Sequence, residues 1–343
     1  MPRISEEDLL HILNNTPGIW DSVRNKSIFI TGATGFFGKW LLESFMYINA
    51  KLSLNATVSA LSRNPEAFLN ENPFFKHPSI SFIKGDIQTF NFPEGDYHFV
   101  IHAATDADAQ KNIDNPLLML ETITVGTKRV LEFAQKKSVE SFLLTSSGAI
   151  YGKQPSAVTH IKENEGFYID INKPTSAYAE GKRLAELYCS ICYLHYQLPV
   201  KIARCFAFVG PYLPLNKHFA IGNFISDALK GEDIVIKGDG TPYRSYLYAA
   251  DLTIWLWTIL LKGENNTPYN VGSDEDYDLK AIANLFNHFN SSVAVRVLTK
   301  PDTNKSVERY VPDITFTKQR LGLTIKVGLL EAIEKTLAFY KTS

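Results

Sequence analysis

The sequence predicts an α/β fold, a doubly wound parallel sheet joined to a smaller mixed α/β lobe. Three observations carry this. Short apolar runs alternate with helical patterns over the first two hundred residues, as right-handed β–α–β crossovers require. The first run, Ser27 to Ile30, passes through Thr31-Gly-Ala-Thr-Gly-Phe-Phe-Gly38 into a helical pattern from Lys39 to Met46. Beyond Gly210-Pro211 the punctuation changes to short elements and turns, with Pro214, Gly231 and Gly238-Asp239-Gly240.

Composition sets the bounds. The 343 residues exceed what one core usually serves, and 45% hydrophobic with 21% charged residues is ordinary for a globular protein. A formal net charge of −1 implies no bulk attraction to nucleic acid or to an anionic membrane. The N-terminus is acidic and lacks an apolar signal core. The longest apolar run, Leu252 to Leu261, falls short of the roughly 20 residues a bilayer needs, and it reads as a buried helix. Three cysteines suit a reducing cytoplasm rather than a disulfide scaffold. Cys189 and Cys192 form a CxxC on the apolar side of a helix. With no second pair they read as small hydrophobes, and no metal site is expected.

The elements follow in order. Glu6 to Leu13 is a short helix in an N-terminal extension. The glycine turn after the first strand has the flanks of a dinucleotide-binding loop. Gly32, Gly35 and Gly38 let the backbone turn tightly and approach a pyrophosphate, which the following helix N-terminus attracts. The second strand, Thr57 to Ser62, ends in Arg63 where a carboxylate commonly holds the ribose 2′-hydroxyl. An arginine there can meet a 2′-phosphate, so the cofactor, NAD or NADP, leans towards NADP. Ser81 to Ile87 is a third strand with Asp86 just past its end. His98 to Ala104 is a fourth, and a helix runs from about Pro116 to Gln135. Ser141 to Ser146 is a fifth strand, opening into Ser147-Gly-Ala-Ile-Tyr-Gly152. Pro174, Thr175 and Ser176 signal a helix start. Tyr178 and Lys182 then lie one turn apart on one helix face. A lysine ammonium beside a phenol favours the phenolate, so Lys182 is expected to bring the Tyr178 pKa down towards the working range. Val200 to Phe206 is a sixth strand. Ligands of such sheets sit beyond the carboxyl ends of the strands, where the glycine loop, Ala103, Ala104 and Ser147 all fall.

TGATGFFG (31–38), GDI (85–87), HAA (102–104), SSGAIYG (146–152), YAEGK (178–182), RCFAFVGP (204–211), GDGTPYRSYLYAADL (238–252), YNVG (269–272) and RYVPD (309–313) together resemble the extended short-chain dehydrogenase/reductases, in their nucleotide-sugar epimerase/dehydratase branch. The resemblance runs from about 27 to 341 and implies a Rossmann-type NAD(P)-binding domain. That domain would be 22–210 with 245–265, and 211–244 with 266–343 would form the substrate lobe. It implies a catalytic triad of Ser147, Tyr178 and Lys182. Gly32, Thr34, Gly35, Phe36, Phe37 and Gly38 would hold the pyrophosphate, Arg63 the adenosine ribose, and Asp86 and Ile87 the adenine. Ala103, Ala104, Cys205 and Phe206 would line the nicotinamide side. Arg244, Arg309 and Asn223 would meet a nucleotide sugar, the two arginines at its diphosphate.

Two departures bear on the reaction. Dehydratases of this branch carry an Asp-Glu pair directly after the catalytic Ser/Thr, and the sugar-acid decarboxylases a glutamate in the same loop. Here Gly148 and Ala149 stand there. Ala207 replaces a substrate-binding Asn. The implied activity is therefore a nucleoside-diphosphate-sugar epimerase or 4-ketoreductase. The alternative is a 4,6-dehydratase or sugar-acid decarboxylase drawing an acid from Glu180 or the 160–166 loop. A non-catalytic cofactor-sensing protein is more distant, because the triad is intact. Family habit further implies a homodimer through the Tyr/Lys helix and the helix before the fifth strand. The face with Leu184, Leu187, Ile191 and Leu194 suits that, and equally suits packing on the sheet.

Overall fold

The computed structural model describes residues 2–105, 109–215, 217, 219–290, 293–302 and 306–342. In chain order its first half gives α1 (Glu6–Asn14), β1 (Ser27–Thr31), α2 (Phe36–Lys51), β2 (Thr57–Ser62), α3 (Pro65–Glu71) and β3 (Ile80–Lys84). Then come β4 (Phe99–His102), α4 (Ala109–Asp114), α5 (Pro116–Lys136), β5 (Ser141–Ser147), α6 (Ala177–Tyr196) and β6 (Val200–Cys205). A seventh strand, Pro268–Val271, joins β6 from far along the chain. The sheet order is Pro268–Val271, β6, β5, β4, β1, β2, β3, and every pairing is parallel. The order reverses between β1 and β4, so the ligand crevice of such a sheet opens at their carboxyl ends.

Strand alternation divides the core. Ile28 and Ile30 of β1 point to one face and Phe29 to the other. The first face is covered by α2 and by helix Ala249–Lys262, where Trp255 and Trp257 are fully buried. This is the apolar run that reads from sequence as a buried helix. The opposite face is covered by α5 and α6, and Phe29, Phe90, Tyr97 and Phe133 form an aromatic cluster there.

Helix α1 is capped by Ser5, whose hydroxyl accepts the Asp8 N–H at 3.1 Å. It buries Leu9 and Ile12 against α2 and the Ala249–Lys262 helix, and Ile4 just before the cap joins the same core. Asp8 accepts from the Tyr248 hydroxyl at 2.8 Å. Three two-residue strands, Tyr277–Asp278, Tyr243–Arg244 and Arg309–Tyr310, make a small sheet in that order.

Cys189 is buried, Cys192 is half-buried, and both are free thiols. Among the described residues no His/Cys/Asp/Glu group could hold a metal ion, and no helix is long and apolar enough to cross a membrane. The α6 face left open by the sequence turns outward. Gly181, Lys182, Ala185 and Cys189 face the sheet, whereas Leu187, Ile191 and Leu194 are exposed and Leu184 is half-buried.

Candidate active site

The glycine turn forms at the carboxyl end of β1. Gly32 takes φ +72°, and a Cβ there would strike the Ala103 carbonyl at the end of β4. A Cβ on Gly38 would strike the Ala33 backbone. The first glycine therefore lets two strand ends meet, and the last lets α2 start close to the turn. Gly35 is the N-cap of α2 and brings no side chain to its N–H groups. A loop of bare backbone at a helix N-terminus fits a dinucleotide pyrophosphate. Thr34, Phe36 and Phe37 flank it, half-buried, and Phe37 meets Phe208 edge-on at 5.2 Å. Arg63 and Asp86 stand exposed at the ends of β2 and β3, and Ile87 is buried against Gly126 of α5. Asp86 Oδ1 accepts the Gln88 N–H at 2.9 Å. Ala103 and Ala104 continue β4 into the crevice, with the Ala104 N–H on Thr31 Oγ1 at 3.2 Å.

Ser147, Tyr178 and Lys182 converge from β5 and α6. Ser147 is the last residue of β5 and accepts the Ala149 N–H at 3.2 Å. The Ser147 hydroxyl acts on the Tyr178 phenol in the sense that favours ionisation. Lys182 is buried, and its Nζ donates to the Thr145 carbonyl at 2.8 Å and to Thr105 Oγ1 at 3.0 Å. Nζ lies 6.0 Å from the centre of the Tyr178 ring.

The expected pKa tuning is corrected here. Burial dominates and pushes the Tyr178 phenol up to about 12, with Ser147 opposing it and Lys182 spent on other partners. Burial likewise brings Lys182 down to about 8, opposed by Cys205, Glu186 and Cys189. Below the pair, Glu186 of α6 clamps Arg204 of β6 through both carboxylate oxygens, at 2.7 and 3.1 Å, and accepts the Ser146 hydroxyl at 2.5 Å. This buried network ties the helix bearing Tyr178 and Lys182 to the strands beneath it.

Arg244 and Arg309 meet because their strands are neighbours in the small sheet, with Arg309 opposite Tyr243 and Tyr310 opposite Arg244. They line a cleft of about 310 Å³ with Gly152, Lys153, Gln154, Glu308 and Tyr310. Arg309 is paired with Asp276 at 2.5 Å and lies over the Tyr243 ring at 3.9 Å, whereas Arg244 reaches Glu308 only at 3.7 Å. Asn223 sits half-buried on helix Ala220–Lys230, away from the cleft's lining. Cys205 ends β6, buried, and the Phe206 ring lies tilted by 37° against Tyr310 with centroids 4.8 Å apart.

The family model described as "NAD dependent epimerase/dehydratase family" matches residues 28–272. The chain belongs to the NAD dependent epimerase/dehydratase family. UDP-glucuronic acid decarboxylase 1 of Danio rerio is 29% identical over 92% of this chain and 72% of its own. The UDP-N-acetylglucosamine 4-epimerase of Methanobrevibacter ruminantium superposes with a TM-score of 0.81 at 21% identity, over 93% of this chain and 99% of its own. The dTDP-glucose 4,6-dehydratase of Bacillus anthracis, solved in complex with NAD, gives 0.74 at 21% identity, over 92% and 97%. Both structures show the shared fold.

In this member of the NAD dependent epimerase/dehydratase family, the sequence reading missed Thr105, Glu186 and Tyr310. Thr105 follows the quoted HAA run by one residue, and Tyr310 lies inside the quoted RYVPD run. Proximity of Tyr310 to Ser147 depends on pairing across the small sheet, which no local pattern reveals. The carboxylates considered as substitute acids are committed elsewhere. Glu180 pairs with Arg183 at 3.3 Å, Glu163 accepts the Asn270 N–H at 3.1 Å, and Glu165 accepts the Lys162 N–H at 2.7 Å.

Proposed function

We propose that the protein binds NAD on the 31–38 turn and oxidises or reduces a sugar carbon of a nucleoside diphosphate sugar, as an epimerase or 4-ketoreductase. The observation that carries this is the convergence of Ser147, Tyr178 and Lys182 beside a loop with no carboxylate at 148 or 149. Gly32, Thr34, Gly35, Phe36, Phe37 and Gly38 would hold the pyrophosphate, with Arg63, Asp86 and Ile87 at the adenosine end. Ala103, Ala104, Cys205 and Phe206 would line the nicotinamide end. Bound NAD supplies the hydride acceptor, and in its reduced form the donor.

The chain's own groups handle protons and charge. Tyr178 takes the proton of the sugar hydroxyl and returns it in the reverse direction. Ser147 donates a hydrogen bond to the sugar oxygen as it becomes a carbonyl. Lys182 contributes positive charge beside the phenol. Arg244 and Arg309 grip the diphosphate, for which guanidinium geometry is suited, and Lys153 adds a third cation to the cleft. The comparisons support NAD and lend nothing to the NADP lean, which then rests on exposed Arg63 alone.

A second reading, decarboxylation of a UDP-uronic acid, is favoured by the names of the 29%-identical relatives and opposed by the missing loop acid. Incubation with UDP-glucose, UDP-glucuronate and dTDP-glucose plus NAD, and separately with a 4-keto nucleotide sugar plus NADH, followed by liquid chromatography and mass spectrometry, separates the readings. An isobaric epimer, or NADH-dependent reduction of a 4-keto sugar, is the expected result. Release of CO₂ establishes the second reading, and loss of water sinks both. Tyr178→Phe should lower turnover by at least about a hundredfold while NAD binding persists, since general acid–base groups contribute that much. Lost NAD binding would instead give the phenol a structural role. The exposed apolar residues of α5 and α6 suit a homodimer through those helices.

A further inference from the structure

We propose that Thr105 is a further positioning residue of this site, its hydroxyl oxygen holding the Lys182 ammonium at the end of β4 so that the charge stays beside Tyr178. The inference rests on the reading of Tyr178 and Lys182 given above, and it gives the glycine turn a second task. The chain leaves β4 through a tight turn, in which the Thr105 N–H returns to the Ala103 carbonyl at 3.0 Å. That turn is pinned to β1. The Ala103 N–H donates to the Thr31 carbonyl and the Ala104 N–H to Thr31 Oγ1, both at 3.2 Å. His102 Nδ1 hydrogen-bonds the same Thr31 hydroxyl at 2.8 Å. A Cβ on Gly32 would strike the Ala103 carbonyl, so Thr105 reaches its place because residue 32 has no side chain.

The donor and acceptor inventory sets the direction of each bond. An ammonium has three donors and no acceptor. Lys182 Nζ therefore donates to Thr105 Oγ1 at 3.0 Å and to the Thr145 carbonyl at 2.8 Å. Thr105 Oγ1 sends its own proton to the Ala104 carbonyl at 2.7 Å, which turns its lone pairs towards Nζ. The Thr145 hydroxyl donates to the His102 carbonyl at 3.2 Å, so both acceptors are tied to β4. A β-branched threonine has few χ1 choices, and its oxygen is presented with little loss of rotamer freedom. Nζ is thereby held 6.0 Å from the centre of the Tyr178 ring.

The other groups around Nζ do not replace these acceptors. Among the described residues it pairs with no carboxylate. Glu186 and Cys189 face it from α6, Cys205 from β6, His102 from β4, and Tyr178 from one turn back along its own helix. Glu186 is committed to Arg204 at 2.7 Å. Burial pushes Cys189 well up and Cys205 up to about 12, so both stay thiols, and it brings His102 down to about 3, so that ring stays neutral. Removing one of the two direct acceptors therefore disfavours the charged form of Lys182 and leaves the neutral amine little affected.

The test reads Lys182 directly and needs no substrate. Its titration is followed by NMR of protein with isotope-labelled lysine side chains, the Lys182 resonance being the one lost in Lys182→Met. Wild type should titrate near pH 8. Thr105→Val should lower that midpoint by about one pH unit, a roughly tenfold smaller ratio of ammonium to amine at a given pH. Thr105→Ser, which restores the oxygen, should return the wild-type midpoint. If Thr105→Val does not fold, Thr105→Ala should give the same downward shift. An unchanged midpoint in whichever of the two folds, or an equal fall in Thr105→Ser, overturns the proposal. With UDP-glucose and NAD as probe, the alkaline limb of the kcat profile should move down by about the same one unit in Thr105→Val, with KM little changed, and return in Thr105→Ser. Wild-type protein inert towards that sugar counts against the substrate reading, and the substrate-free titration still decides the role of Thr105.

Discussion

Lys182 is an ammonium in a place water does not reach, and the fold carries that cost. Its folded pKa is about 8 against 10.5 for the free side chain, with burial as the main cause. The sign follows from proton counting. Between pH 8 and 10.5 the unfolded chain holds a proton that the folded chain has released, so the contribution of Lys182 to stability rises with pH across that window. Below pH 8 the penalty is fully present, on the order of 3 kcal/mol. Denaturant unfolding of wild type and Lys182→Met at pH 7.5 and 10 checks this. The difference between the two proteins should move in favour of wild type at the higher pH. A constant difference would show that Lys182 titrates as if in water. The sequence located this residue by its spacing from Tyr178 and erred on the electrostatics, because burial is a tertiary property that spacing does not carry.

At the scale of elements, the glycine turn was the most legible part of the chain. Its function is steric and local, since two positions, Gly32 and Gly38, must lack a Cβ for β1, β4 and α2 to meet. Gly38→Ala should therefore cost about 1–3 kcal/mol through backbone displacement, and it should weaken NAD binding as well. Thermal melts with and without NAD measure both, and a variant with wild-type melting and wild-type NAD shift would contradict the account. The first six strands of the main sheet were equally legible, because buried parallel strands read as short apolar runs. The seventh, Pro268–Val271, was not read as a strand and lies inside the 266–343 stretch assigned to the substrate lobe. The small sheet was not legible either. Its three strands have two residues each, too few for any periodicity. Arg244 and Arg309 were found only through a resemblance, and Tyr310, one residue further on, was passed over. Asn223 was named with them and stands outside the lining of their cleft.

At the scale of the molecule, α5 and α6 carry exposed apolar residues on the side away from the sheet. Leu187, Ile191 and Leu194 of α6 and Leu117, Leu118 and Val125 of α5 are exposed. From sequence the α6 stripe could have faced the sheet. The structure gives that side to Gly181, Lys182, Ala185 and Cys189, because the site needs its lysine inward. Light scattering should give twice the chain mass, and Leu187→Glu with Leu194→Glu should return a monomer by burying charge in the interface. A wild-type monomer at micromolar concentration would remove the dimer.

The seventh strand, Pro268–Val271, has a consequence for how the chain is made. It completes the sheet beside β6, yet it follows the Ala249–Lys262 helix, on which α1 lies. A ribosome releases the apolar side of α1, with Leu9 and Ile12, shortly before α2, which covers part of it, but long before the Ala249–Lys262 helix that covers the rest. The nascent polypeptide must keep that segment from adhering elsewhere for most of its translation. A pause or truncation before Lys262 therefore strands an aggregation-prone amino terminus on an otherwise nearly finished sheet.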